Sequence, residues 1–250
     1  MVSWPELLLI AVSPSIFLLW FFRHKDRFEH EPIRLMLKVF LLGAVWVIPA
    51  SIVELFGQGL FQPDNGLVEA ALFFFLVVGP VEEFGKFFAV RFRAYNSRLF
   101  DNPFDGIVLG VSGALGFATI ENIAYVFTAP PDAQVITGII RAFLSVPGHA
   151  FWGAITGFYL GQAKYLDKPK LGLVGLGIAA FLHGTFDTTN SIITIFAGDS
   201  LALALFGIFI LFGIVYLSYF GIVRREIKEA EHEPPKQTSH IPLDPTRFVE

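Results

Sequence analysis

The 250-residue chain is 54% hydrophobic and only 16% charged, with a net charge of −4 and a mean hydropathy of +0.62, an apolar balance that excludes an ordinary soluble domain and points to an integral membrane protein. Cysteine is absent, which excludes disulfides, a thiolate nucleophile and Cys-ligated metal. No basic stripe with interleaved aromatics is present, so nucleic acid is excluded as a partner.

Residues 4–22 form an apolar run followed at once by Arg23, His24, Lys25 and Arg27. This order reads as a retained first span, since a cleavable signal carries its positive charge before the apolar run. Further runs at 35–56, 67–90, 104–127, 135–161, 171–196 and 201–223 each approach the ~20 residues that cross a bilayer. Lys and Arg cluster after the first, third, fifth and seventh runs, whereas 57–66, 128–134 and 198–200 contain neither. The asymmetry predicts an all-α polytopic transmembrane bundle of about seven spans, N-terminus outside and C-terminus cytoplasmic. The expected organisation is a membrane-embedded unit over 1–223 with its motif-bearing core at 67–196. From residue 224 to 250 the composition turns polar and Pro-rich, predicting a disordered cytoplasmic tail.

Polar residues inside the spans carry the functional signal. The third run holds Glu82, Glu83 and Lys86, the fourth Glu121 and Asn122, the fifth His149, and the sixth His183, Asp187 and Asn190. At 1.5 Å per residue Glu82 lies about 22 Å from the start of its span, where each ionised group costs about 3 kcal/mol or more. Glu82 and Lys86 share a helix face, as do His183 and Asp187, so Asp187 is placed to orient the His183 ring. Pro80 and the Pro147-Gly148 pair are expected to loosen the helices that carry Glu82 and His149. Four carboxylates at comparable depth face one permanent cation, Lys86. Protonated carboxylates, cationic histidines or a metal ion would each restore the balance.

Any one of these groups alone could be an interhelical hydrogen-bond partner, and Asn122 and Asn190 read as such glue. Glu54, Glu69, Asp105 and Arg141 fall near span ends, where reaching interfacial water suffices. The series Gly106 and Gly110, and Gly153, Gly157 and Gly161, reads as close-packing helix faces. No HExxH is present, so the usual zinc-protease signature is missing.

Four segments on successive spans, Glu82-Glu83-Phe84-Gly85-Lys86, Gly116-Phe117-Ala118-Thr119-Ile120-Glu121-Asn122, Pro147-Gly148-His149-Ala150-Phe151-Trp152 and His183-Gly184-Thr185-Phe186-Asp187, resemble the PrsW intramembrane proteases, distant relatives of the CAAX-processing prenyl proteases. The resemblance implies a multi-pass cell-membrane protease that cuts membrane-associated proteins, such as a membrane-held anti-sigma factor. On that footing Glu82 is expected as general base, with Glu83 and Lys86 tuning it. Glu121 and His149 would hold the water or a metal, and His183 would bind metal or the oxyanion, oriented by Asp187. Zinc held by Glu121, His149 and His183 and a metal-free glutamate mechanism both remain open. So does a different class of function, a proton- or cation-coupled carrier built on the same Glu, His and Asp cluster, together with a prenyl-substrate endopeptidase or a noncatalytic binding protein. The absence of an internal repeat and the concentration of polar groups in one four-helix block count against the carrier.

Overall fold

The computed structural model describes residues 2–26, 31–197 and 200–233. Among them all regular structure is helical: α1 (Trp4–Lys25), α2 (Ile33–Phe61), α3 (Leu67–Phe73), a π-helical turn (Phe74–Val78), α4 (Gly79–Arg93), α5 (Pro103–Thr128), α6 (Gln134–Phe143), α7 (Ser145–Tyr165), α8 (Leu171–Ala197), α9 (Leu201–Ser218), a second π-helical turn (Tyr219–Val223) and α10 (Arg224–Ala230).

The centre is α5. Its start is set by Asn102, whose side chain accepts from the N–H groups of Phe104 and Asp105 at 2.8 and 3.0 Å while Asp105 Oδ2 accepts from Asn102 N at 3.1 Å. This reciprocal capping box, with Pro103 at the first helical position, satisfies donors that would otherwise be left open. Asp105, expected to need only interfacial water, is thereby a buried cap partner. From Pro103 to Thr119 α5 is buried without interruption, because α7, α2 and α1 pack around it. Its tightest seam is with α7: a Cβ on Gly106 or Gly110 would fall on the carbonyl oxygens of Gly157 and Gly153. Small residues are what allow backbones this close in lipid, where packing rather than hydrophobic transfer joins helices. Around this centre α1, α2, α8 and α9 turn Phe17, Leu41, Phe56, Phe181 and Phe209 outward, which costs little beside acyl chains.

Among the described residues six helices or joined helices are long and apolar enough to cross a membrane. The third expected span, 67–90, is not among them. It is built as α3, the π-helical turn and α4, and it carries four charged residues, Glu69, Glu82, Glu83 and Lys86. The π-helical turn has a local cause: Pro80 lacks an N–H, and its ring would strike the carbonyl of Leu76 in a regular helix, so the chain widens just before it. The fifth expected span is likewise two helices, α6 and α7, divided at Leu144 (φ −116°, ψ −71°). The division leaves Pro147 in the first turn of α7, where no N–H is needed. The segment from Arg224, expected as a disordered tail, begins as helix instead. It continues from α9, buries Glu226, Ile227 and Ala230, and is tied to α7 by Gln162 Nε2, which donates to Glu229 Oε1 at 3.3 Å and Glu233 Oε2 at 2.8 Å. Residues 234–250 of that expected tail lie outside the described residues.

Candidate active site

The irregular joints in the helices place the polar residues. Behind the π-helical turn, Glu82 and Glu83 enter α4 with Lys86 one turn on, all three buried. Gly79 lets α4 lie against α8, since a Cβ there would meet Ala180 O at 2.7 Å. The α6–α7 break and α5 bring His149 and Glu121 to the same depth.

Lys86 Nζ donates to Glu83 Oε1 at 2.6 Å, to His149 Nδ1 at 2.6 Å and, more weakly, to Glu82 Oε2 at 3.5 Å, and it lies 5.0 Å from the Phe117 ring centre. An ammonium group only donates, so Nδ1 of His149 accepts and the ring proton sits on Nε2. That nitrogen faces Glu121 Oε2 at 2.9 Å, a carboxylate in the place where a ligand imidazole usually finds one. His183 is held in a parallel way. Its Nδ1 hydrogen-bonds to Glu83 Oε1 at 2.9 Å, and Trp152 stacks on the ring with centroids 4.7 Å apart. Both imidazoles thus commit one nitrogen to a carboxylate and turn the other toward Glu82 Oε2, at 3.9 Å for His149 Nδ1 and 3.7 Å for His183 Nε2.

Glu82, His149 and His183 form the one group of three among the described residues whose ligand atoms all lie within 4.8 Å of one another. Two imidazole nitrogens and one carboxylate oxygen, each imidazole backed by a carboxylate, match the donor chemistry of a catalytic zinc site with an open position. An ion there would compete with Lys86 Nζ for His149 Nδ1.

The expected residues are therefore brought together, but in different relations from those the spacing suggested. Glu83 lies behind the cluster on Lys86 and His183, whereas Glu82 faces the cavity. Glu121 stands behind His149 rather than within the group of three that could hold an ion. Asp187 Oδ2 reaches His183 Nε2 at 3.3 Å from the cavity side, while the hydrogen bond that holds the ring is made by Glu83. Asn122 does not reach the cluster: its Nδ2 donates to Ala11 O on α1 at 2.7 Å and its Oδ1 accepts from Arg141 Nε at 2.9 Å.

Two residues set aside on depth alone belong to the site. Arg141 on α6 reaches Glu121 Oε2 at 3.0 Å, and Glu54 on α2 lines the cavity with a buried, hydrogen-bond-free Oε1. The charge imbalance was the signal for Arg141, since a second cation was wanted and Arg141 is the next basic residue before His149. The cavity itself measures about 640 Å³. It runs from Glu82, His149 and His183 past Asp187, Glu121 and Arg141 to Pro63 and Asp64 in the α2–α3 connection. Such a volume admits a peptide segment to three converging polar groups inside a helical bundle.

Residues 31–217 match the PrsW-protease family, described as PrsW family intramembrane metalloprotease. The chain is similar to Protease PrsW of Geobacillus kaustophilus, with 38% identity across 73% of this chain and 78% of that protein. Its similarity to Protease PrsW of Bacillus subtilis is 38% across 71% and 79%, and to that of Clostridioides difficile 31% across 73% and 78%. No solved structure gives a significant match.

Proposed function

We propose, for a chain that belongs to the PrsW family of intramembrane proteases and is an integral-membrane endopeptidase, that peptide bonds are cut at Glu82, His149 and His183 with zinc bound between them. Membership in a protease family sets the carrier reading aside. The observation that supports the site is the convergence of these three side chains at the inner end of the cavity.

Zinc, held by Glu82, His149 and His183, would supply Lewis acidity at the site, lowering the pKa of a water and polarising a carbonyl. The residues of the chain do the rest. Glu121 and Glu83 orient the two imidazoles so that His149 Nδ1 and His183 Nε2 face Glu82. Asp187, at the cavity side of His183, takes the proton of the attacking water at its carboxylate and returns it to the leaving amine nitrogen. Lys86 and Arg141 offset the carboxylates gathered here. Phe74, Phe117 and Phe186 supply apolar wall beside these polar groups.

A second reading is favoured by one contact. Lys86 Nζ, 2.6 Å from both Glu83 Oε1 and His149 Nδ1, already supplies a cation at the cluster, and Glu82 then acts without zinc as the base that activates water.

The substrate is a membrane-anchored protein, a regulator such as an anti-sigma factor. Its segment enters from the end bearing the α2–α3 connection, the extracytoplasmic face of the cell membrane if the Lys- and Arg-rich loops are cytoplasmic. Purified protein in liposomes, incubated with a single-span substrate, tests the zinc assignment. Chelation is expected to abolish cleavage, zinc to restore it, and His183→Ala to lower zinc content. Undiminished cleavage after verified removal of metal would leave only the Glu82 reading.

A further inference from the structure

The charged link between α6 and the cluster is made by one side chain, to which the catalytic reading assigns only charge compensation. Arg141 is held on three sides. Its Nε donates to Asn122 Oδ1 at 2.9 Å, its guanidinium lies 4.0 Å from the Tyr125 ring centre, and its terminal nitrogen stands 3.0 Å from Glu121 Oε2. Asn122 is itself fixed, because its amide donates to Ala11 O across the α1–α5 contact at 2.7 Å. A planar guanidinium with a stacked face and an anchored Nε has little freedom left in its fork. Its position is thus set by α1, α5 and α6 before any substrate arrives.

What that fixed fork does is decided by Glu121. The same oxygen, Oε2, lies 3.0 Å from Arg141 and 2.9 Å from His149 Nε2. Neither contact has hydrogen-bond geometry, so the guanidinium charge more than directional bonding holds the carboxylate beside the imidazole. Without the guanidinium the carboxylate could rotate toward the water of the cavity, to which it is 19% exposed. Its contact with the imidazole would then be lost, and the ring could turn or exchange its proton between nitrogens.

We infer that Arg141 is a positioning residue for hydrolysis: it clamps Glu121 against His149 Nε2 and so keeps His149 Nδ1 facing Glu82. The inference rests on the reading of His149 as part of the reactive cluster, and it is specific about route. Arg141 acts through Glu121 and does not itself contact the reacting atoms. Loss of an outer partner of a ligand imidazole typically costs 10–100-fold in activity or metal affinity, and groups that act as a unit are non-additive.

The test is a double-mutant cycle on liposome-reconstituted protein, reading kcat, KM and zinc affinity by competition. Arg141→Ala is expected to lower kcat about tenfold or more with KM within about twofold, and to weaken zinc binding by a similar factor. Adding Glu121→Gln to Arg141→Ala is expected to leave the activity of Glu121→Gln alone, and free guanidinium is expected to restore part of the activity of Arg141→Ala but none in the double variant. Losses that multiply, a loss confined to KM, or an unchanged kcat would each overturn the assignment. If Arg141→Ala does not fold, Arg141→Lys runs through the same cycle, since a lysine keeps the charge but not the Asn122 and Tyr125 anchors. Glu82→Gln serves as the separate check on the parent reading. Its full activity would sink the catalytic cluster, whereas its inactivity beside an unaffected Arg141→Ala would sink only this inference.

Discussion

Two acid-rich regions of the molecule are buried to the same degree and differ in every other respect. In the cluster around Lys86, Glu82 and Glu83 are 5% and 0% exposed; near the start of α5, Glu31 and Asp105 are 2% and 3% exposed. The second set is satisfied, where it is satisfied, by local backbone: Asp105 Oδ2 accepts from Asp101 N and Asn102 N at 2.9 and 3.1 Å, while neither Oε of Glu31 has a hydrogen-bond partner among the described residues. The first set is met by Lys86 from its own helix and by His149 and His183 from α7 and α8, and Glu82, His149 and His183 open together on one cavity. Burial of carboxylates therefore does not mark a reactive site. Convergence of imidazoles and cations from several helices on shared space does.

This contrast can be broken by substitution. The largest stability effect is expected for Glu83→Gln, which leaves Lys86 buried with only the 3.5 Å contact to Glu82 as its ionic partner and should cost about 3 kcal/mol. Denaturation in mild detergent reads the loss, and an unchanged midpoint would mean that the ion pair contributes nothing. At the other region a pH effect of opposite character is expected. Burial pushes the Glu31 carboxyl up to about 9 from the ordinary value of about 4.5, with Asp105, Asp26 and Asp101 adding repulsion. The folded state then binds this proton more tightly than the unfolded state, so stability falls as pH rises from about 4.5 toward 9. Glu31→Gln should flatten that fall, matching the parent at pH 4 and exceeding it at pH 8; an unaltered slope would assign the pH dependence to other groups. The smallest effect is expected at the cap. Asn102→Ala should lower stability by about 1 kcal/mol without altering catalysis, and a catalytic defect would show that the start of α5 positions the site.

How much of this was legible in the sequence depends on the residue. Depth along an ideal helix was enough to gather Glu82, Glu121, His149 and His183, because each lies on a run long enough to fix its level in the bilayer. The same measure set Arg141 and Glu54 aside. It treated 135–161 as one straight span, whereas the break at Leu144 lets α6 swing Arg141 onto Glu121. The glycine faces of α5 and α7 were legible because close packing demands residue types that nothing else replaces. The division of labour between Glu82 and Glu83 was not, since adjacent residues differ only by rotation, and the facing helices decide which carboxylate meets His183 Nδ1 and which meets the cavity. Composition also misread residues 224–230, where polar side chains hide a helix that continues from α9 and buries one face on α5 and α7.

The central claim is that the cluster of Glu82, His149 and His183, and not buried acid in general, performs hydrolysis. The most direct measurement compares Glu82→Gln with Glu31→Gln in the same liposome cleavage assay. The account predicts that Glu82→Gln, folded by its thermal transition, loses at least about 100-fold in kcat while Glu31→Gln cleaves at the parental rate. Cleavage by Glu82→Gln within a few fold of the parent would contradict it.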